Sequence, residues 1–419
     1  MLNPHIDRWG RNGREFLLLL CTFLLPSIAG AQNVLIFLMD DVGKADVDAL
    51  IADGRAPNLA RISQRGFCFT SAMANPLCQP TRRTLDFGDF CVRSSGRVCK
   101  PSEGKEPPLS LVSLPELVGS TSMFFGKWHE GTNPDGPWTL TPQAHGWGGW
   151  RAGVPGGITA CGGVDYSNWI RVEDGLARQA VTYQPEKQFD RLREWWSATN
   201  GPRLVMYSSA LAHEPLHRPP DSWLPANYPP TPGNREKFEA MIAALDVQIG
   251  RILLLLSPDD FLIVTSDNGT PGLVSETPRA KGTTFERGIR VPLIVYGGWI
   301  DPGKSDALVH VADVYATVAE LTGKKADPAL DSRSLVPLIL GATEPIHDYL
   351  LCGSLDHPPR VDDVCVRSLR YKLRRVGQPP REEFYDLGLD PSESTDRIDD
   401  PAYQVVIAQH RGWLVSALE

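Results

Sequence analysis

The chain has 419 residues, of which 42% are hydrophobic and 22% are charged, a composition typical of globular proteins. Its formal net charge is −8 and it contains no long basic run, so the composition argues against a nucleic-acid partner. The length suits two domains, or one large domain with a smaller one.

Residues 1–31 predict a secretory signal peptide. Three arginines precede the apolar run "FLLLLCTFLL" at 16–25, which is too short to span a bilayer as a helix. Ala29 and Ala31 then offer a small-x-small cleavage pattern. The alternative, a membrane anchor, lacks a stop-transfer pattern. We therefore expect a periplasmic or secreted protein without stable membrane insertion.

Export to an oxidising compartment predicts disulfide bonds. The chain has eight cysteines, one of them in the leader, and setting Cys78 aside leaves six. The short spacings favour the pairs Cys91–Cys99 and Cys352–Cys365. Spacing alone leaves open both the connectivity and the presence of free buried thiols.

The chain beyond the leader alternates between predicted strands and helices. Apolar runs without polar alternation indicate strands that are buried on both faces of a parallel sheet. The predicted strands are 33–39, 121–125, 203–210, 261–266 and 291–297. Helical periodicity covers 57–66, 189–197, 235–256 and 311–322. Residues 32–330 are thus predicted to form an α/β domain with a mainly parallel central sheet flanked by helices.

The pattern changes near residue 331. Short, partly alternating segments within 350–386 predict antiparallel strands, and a final helix is expected from about 401 to 418. We therefore expect a small antiparallel C-terminal subdomain over 331–419.

Polar residues follow four of the predicted strands at their carboxyl ends. In chain order they are Asp40 and Asp41, Lys127 and His129, His213, and Asp267 and Asn268. Open parallel sheets bind ligands outside the carboxyl ends of their strands. We therefore expect these side chains to meet at one edge of the sheet.

The acidic members of this set predict a metal site. Asp40, Asp41 and Asp267 cannot share one edge unless a cation compensates their charge. Carboxylate and amide oxygens suit a hard divalent ion such as Ca²⁺ or Mg²⁺. Each motif taken singly is explained as well by a turn, but their joint position after buried strands favours metal ligands.

Basic residues are predicted to surround that ion. They are Arg82, Lys127, His129, His213 and Lys281. A divalent cation ringed by fixed positive donors favours a tetrahedral oxyanion, and sulfate and phosphate esters are the obvious substrates. An ordinary surface or core role explains each residue singly, but not the whole set.

The segment around Cys78 carries a family resemblance. "CQPTRRTLDFG" at 78–88 resembles the Cys-x-Pro-Ser/Thr-Arg signature of the formylglycine-dependent type I sulfatases, in the alkaline phosphatase-like superfamily. "GKWH" at 126–129 resembles their second signature. Further blocks match in the same order: "NVLIFLMDDVG", "AHEPLHRP", "SDNG", "KGTTFERGIRVP" and "FYDLGLDPSE". The resemblance covers nearly the whole chain beyond the leader.

This resemblance implies a sulfuric ester hydrolase in which a formylglycine-generating enzyme oxidises Cys78 to Cα-formylglycine. One hydroxyl of the hydrated aldehyde attacks sulfur, and the other allows sulfate to be expelled as the aldehyde re-forms. The implied cofactor is Ca²⁺, with Mg²⁺ or Mn²⁺ as alternatives. Its implied ligands are Asp40, Asp41, Asp267, Asn268 and the residue derived from Cys78.

The same resemblance implies roles for the basic residues. Arg82 would steady the diol and the metal cluster, while Lys127 and Lys281 would neutralise sulfate oxygens. His213, with help from Lys281, would protonate the leaving alcohol. His129 would deprotonate the second hydroxyl, and a histidine suits either proton role. Asp267 would accept the proton of the attacking hydroxyl.

Some positions depart from the family pattern or bear on the substrate. Thr81 keeps the hydroxyl of the commoner serine, but "TLDFG" at 84–88 replaces an "LLTG"-like run, which puts efficient maturation in question. Arg287 stands where glycine is usual, and either grips a substrate carboxylate or points to solvent. Trp147 and Trp150 are expected to have a structural role, and the alternative is that they form an apolar platform on which a sugar stacks.

The expected substrate is a sulfated carbohydrate or a related small ester. Two alternatives remain from the sequence. One is a phosphodiesterase or phosphonate monoester hydrolase of the same superfamily, because phosphate fits the same cationic site. The other is a non-catalytic protein that binds sulfated glycans.

Overall fold

The computed structural model describes residues 33–92, 107–131, 137–354 and 362–418. The predicted leader at 1–31 and Cys99 lie outside these ranges. Within them, no helix is long and apolar enough to cross a membrane.

The strands belong to two sheets. They are β1 Val34–Met39, β2 Phe67–Met73, β3 Thr121–Lys127, β4 Trp150–Val154, β5 Trp169–Glu173, β6 Leu176–Ala180, β7 Arg203–Ser208, β8 Phe261–Ser266, β9 Leu293–Gly297, β10 Gly303–His310, β11 Leu350–Ser354, β12 Asp363–Arg367, β13 Tyr371–Val376 and β14 Arg381–Asp386. The large sheet has ten strands in the order β10-β2-β9-β8-β1-β7-β3-β4-β5-β6, and β11 to β14 form a separate four-stranded sheet.

Most of the helices pack on the two faces of the large sheet or near its ends, and the last one packs on the small sheet. They are α1 Lys44–Ala52, α2 Pro57–Arg65, α3 Cys78–Phe87, α4 Leu114–Val118, α5 Thr141–Ala144, α6 Gln184–Ala198, α7 Asn234–Leu253, α8 Glu286–Ile289, α9 Asp313–Leu321, α10 Val336–Ile339 and α11 Gln404–Leu418. The predicted α/β class, with a mainly parallel sheet and a small antiparallel sheet, is confirmed.

The centre of the large sheet is parallel, and its strands end at the same level. β8, β1, β7 and β3 pair in parallel in that order. Met39 at the end of β1 lies opposite Ser266 at the end of β8, and Gly126 of β3 lies opposite Ser208 of β7. The residues that follow these strands therefore emerge side by side.

Strand β1 is buried on both faces, as its unbroken apolar run predicts. Leu35 and Phe37 pack in a core that also contains residues of α2, α6 and α7. Ile36 and Leu38 pack on the opposite side, with residues of α4, α9 and α10. Two apolar layers thus fix the position of the strand whose end carries Asp40 and Asp41.

The predicted strand at 291–297 exists as β9, but it runs antiparallel to β8 and β2. Other strands of the large sheet were not predicted from the sequence. β2 has the mixed sequence "FCFTSAM", and most of β6 is exposed, so neither gives a long apolar run. β10 begins with alternating half-exposed and exposed positions. Their pairing partners, rather than their own hydrophobicity, place these strands in the sheet.

The disulfide bonding of the cysteines differs in part from the prediction. Cys91 is disulfide-bonded, but its predicted partner Cys99 lies outside the described ranges. The predicted Cys352–Cys365 disulfide is wrong: both cysteines are free, although they face each other across β11 and β12. The short spacing between them reflects this cross-strand pairing of two thiols, and does not indicate a bond. Cys68 is also free.

The small sheet is tied to the large one through buried charges. Lys372 on β13 is fully buried, and its Nζ lies 2.8 Å from carboxylate oxygens of both Glu286 and Glu393. The same Nζ donates a 2.9 Å hydrogen bond to the carbonyl oxygen of Thr284. Thr284 lies close in sequence to Lys281, so the small sheet helps to hold the segment that carries this lysine. The predicted domain boundary near residue 330 stays a prediction.

We predict that Lys372→Met destabilises the protein by about 3–5 kcal/mol, because it leaves buried carboxylates without their shared cation. The measurement is the free energy of urea-induced unfolding. Lys325→Met removes an exposed lysine and serves as the control, with an expected change within about 0.5 kcal/mol. Equal stability of the two variants would contradict the structural role of Lys372.

Candidate active site

The three aspartates predicted to bind metal converge at the edge of the sheet. Asp40 and Asp267 are fully buried, and Asp41 is 3% exposed. The backbone of Asp41 has a left-handed φ of 65°, and its amide donates a 3.0 Å hydrogen bond to Oδ1 of Asp267. A non-glycine residue in this conformation is strained, and such strain is concentrated at functional sites.

Cys78 completes this cluster from the first turn of α3. Its Sγ lies 3.6 Å from Oδ1 of Asp40 and 3.7 Å from Oδ1 of Asp41. Ligand atoms of Asp40, Asp41, Cys78 and Asp267 all lie within 4.8 Å of one another. The amino terminus of a helix carries partial positive charge, so this position also favours negative charge at residue 78.

The residues present fit a divalent cation. Asn268 donates from Nδ2 to Oδ1 of Asp41 at 2.8 Å, but its own buried Oδ1 has no hydrogen-bond partner within the described part of the chain. A buried carbonyl oxygen without a donor is costly, and an ion satisfies it. Three carboxylates and one amide oxygen form an all-oxygen donor set of the kind that Ca²⁺ and Mg²⁺ prefer.

The predicted cations pair with these carboxylates. Lys127 Nζ lies 2.6 Å from Oδ2 of Asp40, and Lys281 Nζ lies 2.5 Å from Oδ1 of Asp41. Arg82 donates from Nε and Nη2 to Oδ2 of Asp267, at 3.0 and 2.7 Å. Three cations thus balance three carboxylates. A divalent ion would make the site net positive, which suits an anionic ester.

The thiol of Cys78 is a poor nucleophile in this setting. Burial raises the pKa of Cys78 above its ordinary value, and the carboxylate of Asp267 raises it further, against the smaller effect of Lys127 and Lys281. Only the thiolate attacks efficiently.

The two predicted histidines lie beside the cluster and against one loop. A Cβ on Gly156 would contact His129 Cδ2 at 3.4 Å, and one on Gly157 would contact His213 Cε1 at 3.6 Å. Burial lowers the pKa of His129 well below its ordinary value, and the nearby Lys127 lowers it further. Both effects favour the neutral form of the His129 imidazole.

The orientation of His213 follows from its hydrogen bond. Its Nδ1 lies 3.0 Å from the carbonyl oxygen of Glu214, which can only accept, so Nδ1 carries the proton. Nε2 is left to exchange a proton with a ligand. Buried Tyr166 donates to the carbonyl oxygen of His213 at 2.8 Å and supports this turn.

Sequence reasoning missed the residues that hold the catalytic groups. The backbone amide of Asn75 donates to Thr81 Oγ1 at 2.9 Å, and its side-chain Nδ2 donates to Thr84 Oγ1 at 3.1 Å. These two hydrogen bonds fix the start of α3. Ser208 accepts from Arg82 at 2.6 Å. Ser208 could have been found from the sequence, because it is a polar residue at the end of an apolar strand. Asn75, Gly156 and Gly157 lie in loops, where the sequence gives no such pattern.

The residues considered for substrate recognition fall into two groups. Trp147 and Trp150 are 2% and 1% exposed and pack in the core with Phe124, so they are structural and form no sugar platform. Arg287 is partly exposed, and its Nη2 lies 3.7 Å from Oδ1 of Asp46. It therefore neither contacts the cluster nor extends freely into solvent.

Comparison with known proteins bears on this site. The Sulfatase family model matches residues 32–324. N-acetylgalactosamine-6-sulfatase from Canis lupus familiaris is 28% identical over 387 residues, covering 78% of this chain and 70% of that protein. Arylsulfatase A from Bos taurus is 28% identical over 423 residues, covering 89% and 78%.

Solved structures share the fold. Ps i-CgsB in complex with k-i-k-neocarrahexaose has a TM-score of 0.74 and 19% sequence identity, with 92% of both chains covered. BT4656 in complex with D-glucosamine-2-N,6-O-disulfate has a TM-score of 0.73 and 15% identity, with 92% and 97% covered. Because the family model spans most of the chain, we conclude that this protein belongs to the sulfatase family and is a sulfate ester hydrolase.

Proposed function

We propose that the protein removes sulfate from a sulfated carbohydrate, using a formylglycine derived from Cys78 and a divalent cation. The observation that carries this proposal is the position of Cys78 Sγ, which lies 3.6 Å and 3.7 Å from two buried aspartates. A structural cysteine has no reason to lie among carboxylates, whereas an oxidised residue that shares an ion with them does.

Two added groups supply the central chemistry. The hydrated formylglycine supplies a hydroxyl for attack on sulfur and a second hydroxyl that allows sulfate to leave. Asp40, Asp41, Asp267 and Asn268 would hold the cation, which would polarise sulfate oxygens and lower the pKa of the diol. We favour Ca²⁺, with Mg²⁺ or Mn²⁺ as alternatives.

The positive side chains bind the sulfate group and set its orientation. Lys127 and Lys281 each hold one carboxylate of the cluster, with Lys127 fully buried and Lys281 partly exposed, and both ammonium groups would meet oxygens of a sulfate bound beside these carboxylates. Arg82 is locked by Asp267, Ser208 and the carbonyl oxygen of Lys127. Such preorganised charge stabilises the transition state without rearrangement.

The proton transfers fall to three residues. Asp267 accepts the proton of the attacking hydroxyl. His213 in its doubly protonated form would donate the Nε2 proton to the leaving alcohol, while its Nδ1–H stays bonded to the backbone. His129 would remove a proton from the second hydroxyl as sulfate departs.

The substrate class rests on the relatives. One relative is named for N-acetylgalactosamine 6-sulfate, and two structural neighbours are described in complex with a carbohydrate. We propose a sulfated glycan or small sulfated sugar as substrate, a formylglycine-generating enzyme as maturation partner and a periplasmic or secreted location. Turnover of aryl phosphate faster than aryl sulfate would favour the phosphate-ester alternative.

We predict that Cys78→Ala lowers the turnover of an aryl sulfate by about 10⁴-fold or more, because the nucleophile is lost. The matured wild-type protein should react at residue 78 with an aldehyde-specific hydrazide, as read by peptide mass spectrometry. Cys68→Ala removes a free cysteine away from the cluster and should retain activity. An active protein that carries only a thiol at residue 78 would refute the mechanism.

We predict that His213→Ala slows a sulfated sugar far more than 4-nitrophenyl sulfate. General acid catalysis contributes about 10²- to 10⁴-fold where the leaving group needs a proton, and nitrophenolate needs little help. The measurement is the ratio of kcat/KM values for the two substrates. His217→Gln, on the same segment, should leave that ratio unchanged. An equal loss for both substrates in His213→Ala would assign the acid role elsewhere.

A further inference from the structure

A large cavity lies beside the candidate active site and shares none of its proposed catalytic or metal-binding residues. Its volume is about 930 Å³, which falls within the range of small-molecule sites, about 300–1,000 Å³. It is lined by the start of α1, by residues of the 270–290 segment and by the 391–394 loop. Its cationic side chains are Lys44, Arg279, Arg287 and Arg290.

Two of these arginines donate hydrogen bonds to backbone carbonyls, and Arg279 also lies 4.7 Å from the ring centroid of Phe285. Arg290 donates to the carbonyl oxygen of Thr70 from Nε at 3.0 Å and from Nη2 at 2.5 Å. Arg279 donates to the carbonyl oxygens of Ser392 and Glu393. Across the described ranges, neither guanidinium has a carboxylate oxygen within ion-pair distance. Both charges are therefore left without an anionic partner.

Arg287 is only weakly paired. Among the described residues, its one carboxylate neighbour is Asp46, which lies at 3.7 Å and already accepts from Arg235 at 2.9 Å and from Thr270 Oγ1 at 2.6 Å. The side chain of Arg287 is 31% exposed and lines the cavity. Its guanidinium can therefore bind an anion that enters the cavity.

The acidic residues that line the cavity are already engaged. Asp48 pairs with Lys44 at 2.7 Å. Glu286 pairs with Arg367 at 3.1 Å and with Lys372 at 2.8 Å, and Glu393 pairs with Lys372 at 2.8 Å, so two cations balance these two carboxylates. These carboxylates cannot neutralise the three arginines as well, so the cavity presents net positive charge.

A smaller cavity of about 290 Å³ adjoins the first and shares Glu286, Arg290 and Pro391 with it. Its other arginines are already paired, Arg367 with Glu286 at 3.1 Å and Arg370 with Asp386 at 2.8 Å. The positive charge without an anionic partner is therefore confined to the larger cavity. A single sulfate ion would fill a small part of that space, which leaves room for the sugar that carries it.

We propose that this cavity is a second binding site, for an anionic sugar unit of a glycan, with Arg279, Arg287 and Arg290 as the anion-binding groups. Guanidinium forks bind carboxylates and sulfates through paired, charge-assisted hydrogen bonds, so either group is a suitable ligand. The site lies outside the catalytic cluster, and its occupancy does not require turnover.

Binding of three tetrasaccharides to the full-length protein, measured by calorimetry at about 150 mM salt, tests this proposal. Tetragalacturonate carries only carboxylates, a carboxyl-reduced chondroitin 6-sulfate tetrasaccharide carries only sulfates, and maltotetraose is uncharged. We expect one or both charged sugars to bind and maltotetraose not to bind. Which of the two binds identifies the anionic group. Binding of neither charged sugar overturns the proposal.

Variants localise the site. Arg287→Gln should weaken binding of the charged sugar by about tenfold, the effect of one charge-assisted hydrogen bond. Arg193→Gln removes an exposed arginine on α6 and should leave the Kd within about twofold. Equal weakening by both variants would show general attraction and overturn the proposal. Unchanged binding in Arg287→Gln would do the same.

Turnover of 4-nitrophenyl sulfate separates this proposal from the proposed hydrolysis. Arg287→Gln should retain it, because Arg287 does not contact the cluster. Binding that depends on Arg287 in a protein without turnover would support the second site and defeat the hydrolytic mechanism. Turnover without such binding would defeat the second site alone.

Discussion

The structure depends on the compensation of three buried aspartates at one edge of the sheet. Two unit charges 4 Å apart repel by about 4 kcal/mol at an effective dielectric constant of 20, so Asp40, Asp41 and Asp267 cannot remain together uncompensated. Arg82, Lys127 and Lys281 supply that compensation from three other segments. The same charges that make the cluster stable therefore assemble a site that binds anions.

The sequence predicts the centre of this arrangement well. An unbroken apolar run predicts a strand that is buried on both faces. The structure contains the four strands predicted in this way, β1, β3, β7 and β8, and the polar residues that follow them lie at one edge of the sheet. Asp40 could be placed because it directly follows such a strand, and Lys127 could be placed because it ends one. Arg82 and Cys78 came from a motif and not from periodicity.

The other features of the site and the fold could not be predicted, because they depend on contacts between residues that are distant in sequence or follow no regular pattern. Asn75 acts through hydrogen bonds whose partners on α3 belong to no regular pattern. The thiols of Cys352 and Cys365 are close because two strands pair, which spacing alone cannot distinguish from a disulfide. The three arginines of the proposed second binding site lie within residues 279–290, and only the fold shows that the acidic residues lining the same cavity are already paired.

The central inference is that Asp40, Asp41, Asp267, Asn268 and residue 78 share one divalent ion. The most direct measurement is a crystal structure of the matured protein grown with calcium, with anomalous difference maps at the cluster. We expect a peak within about 2.3–2.6 Å of the aspartate and asparagine oxygens. An ordered site with no ion there, and with Lys127 and Lys281 still bound to the carboxylates, would contradict it.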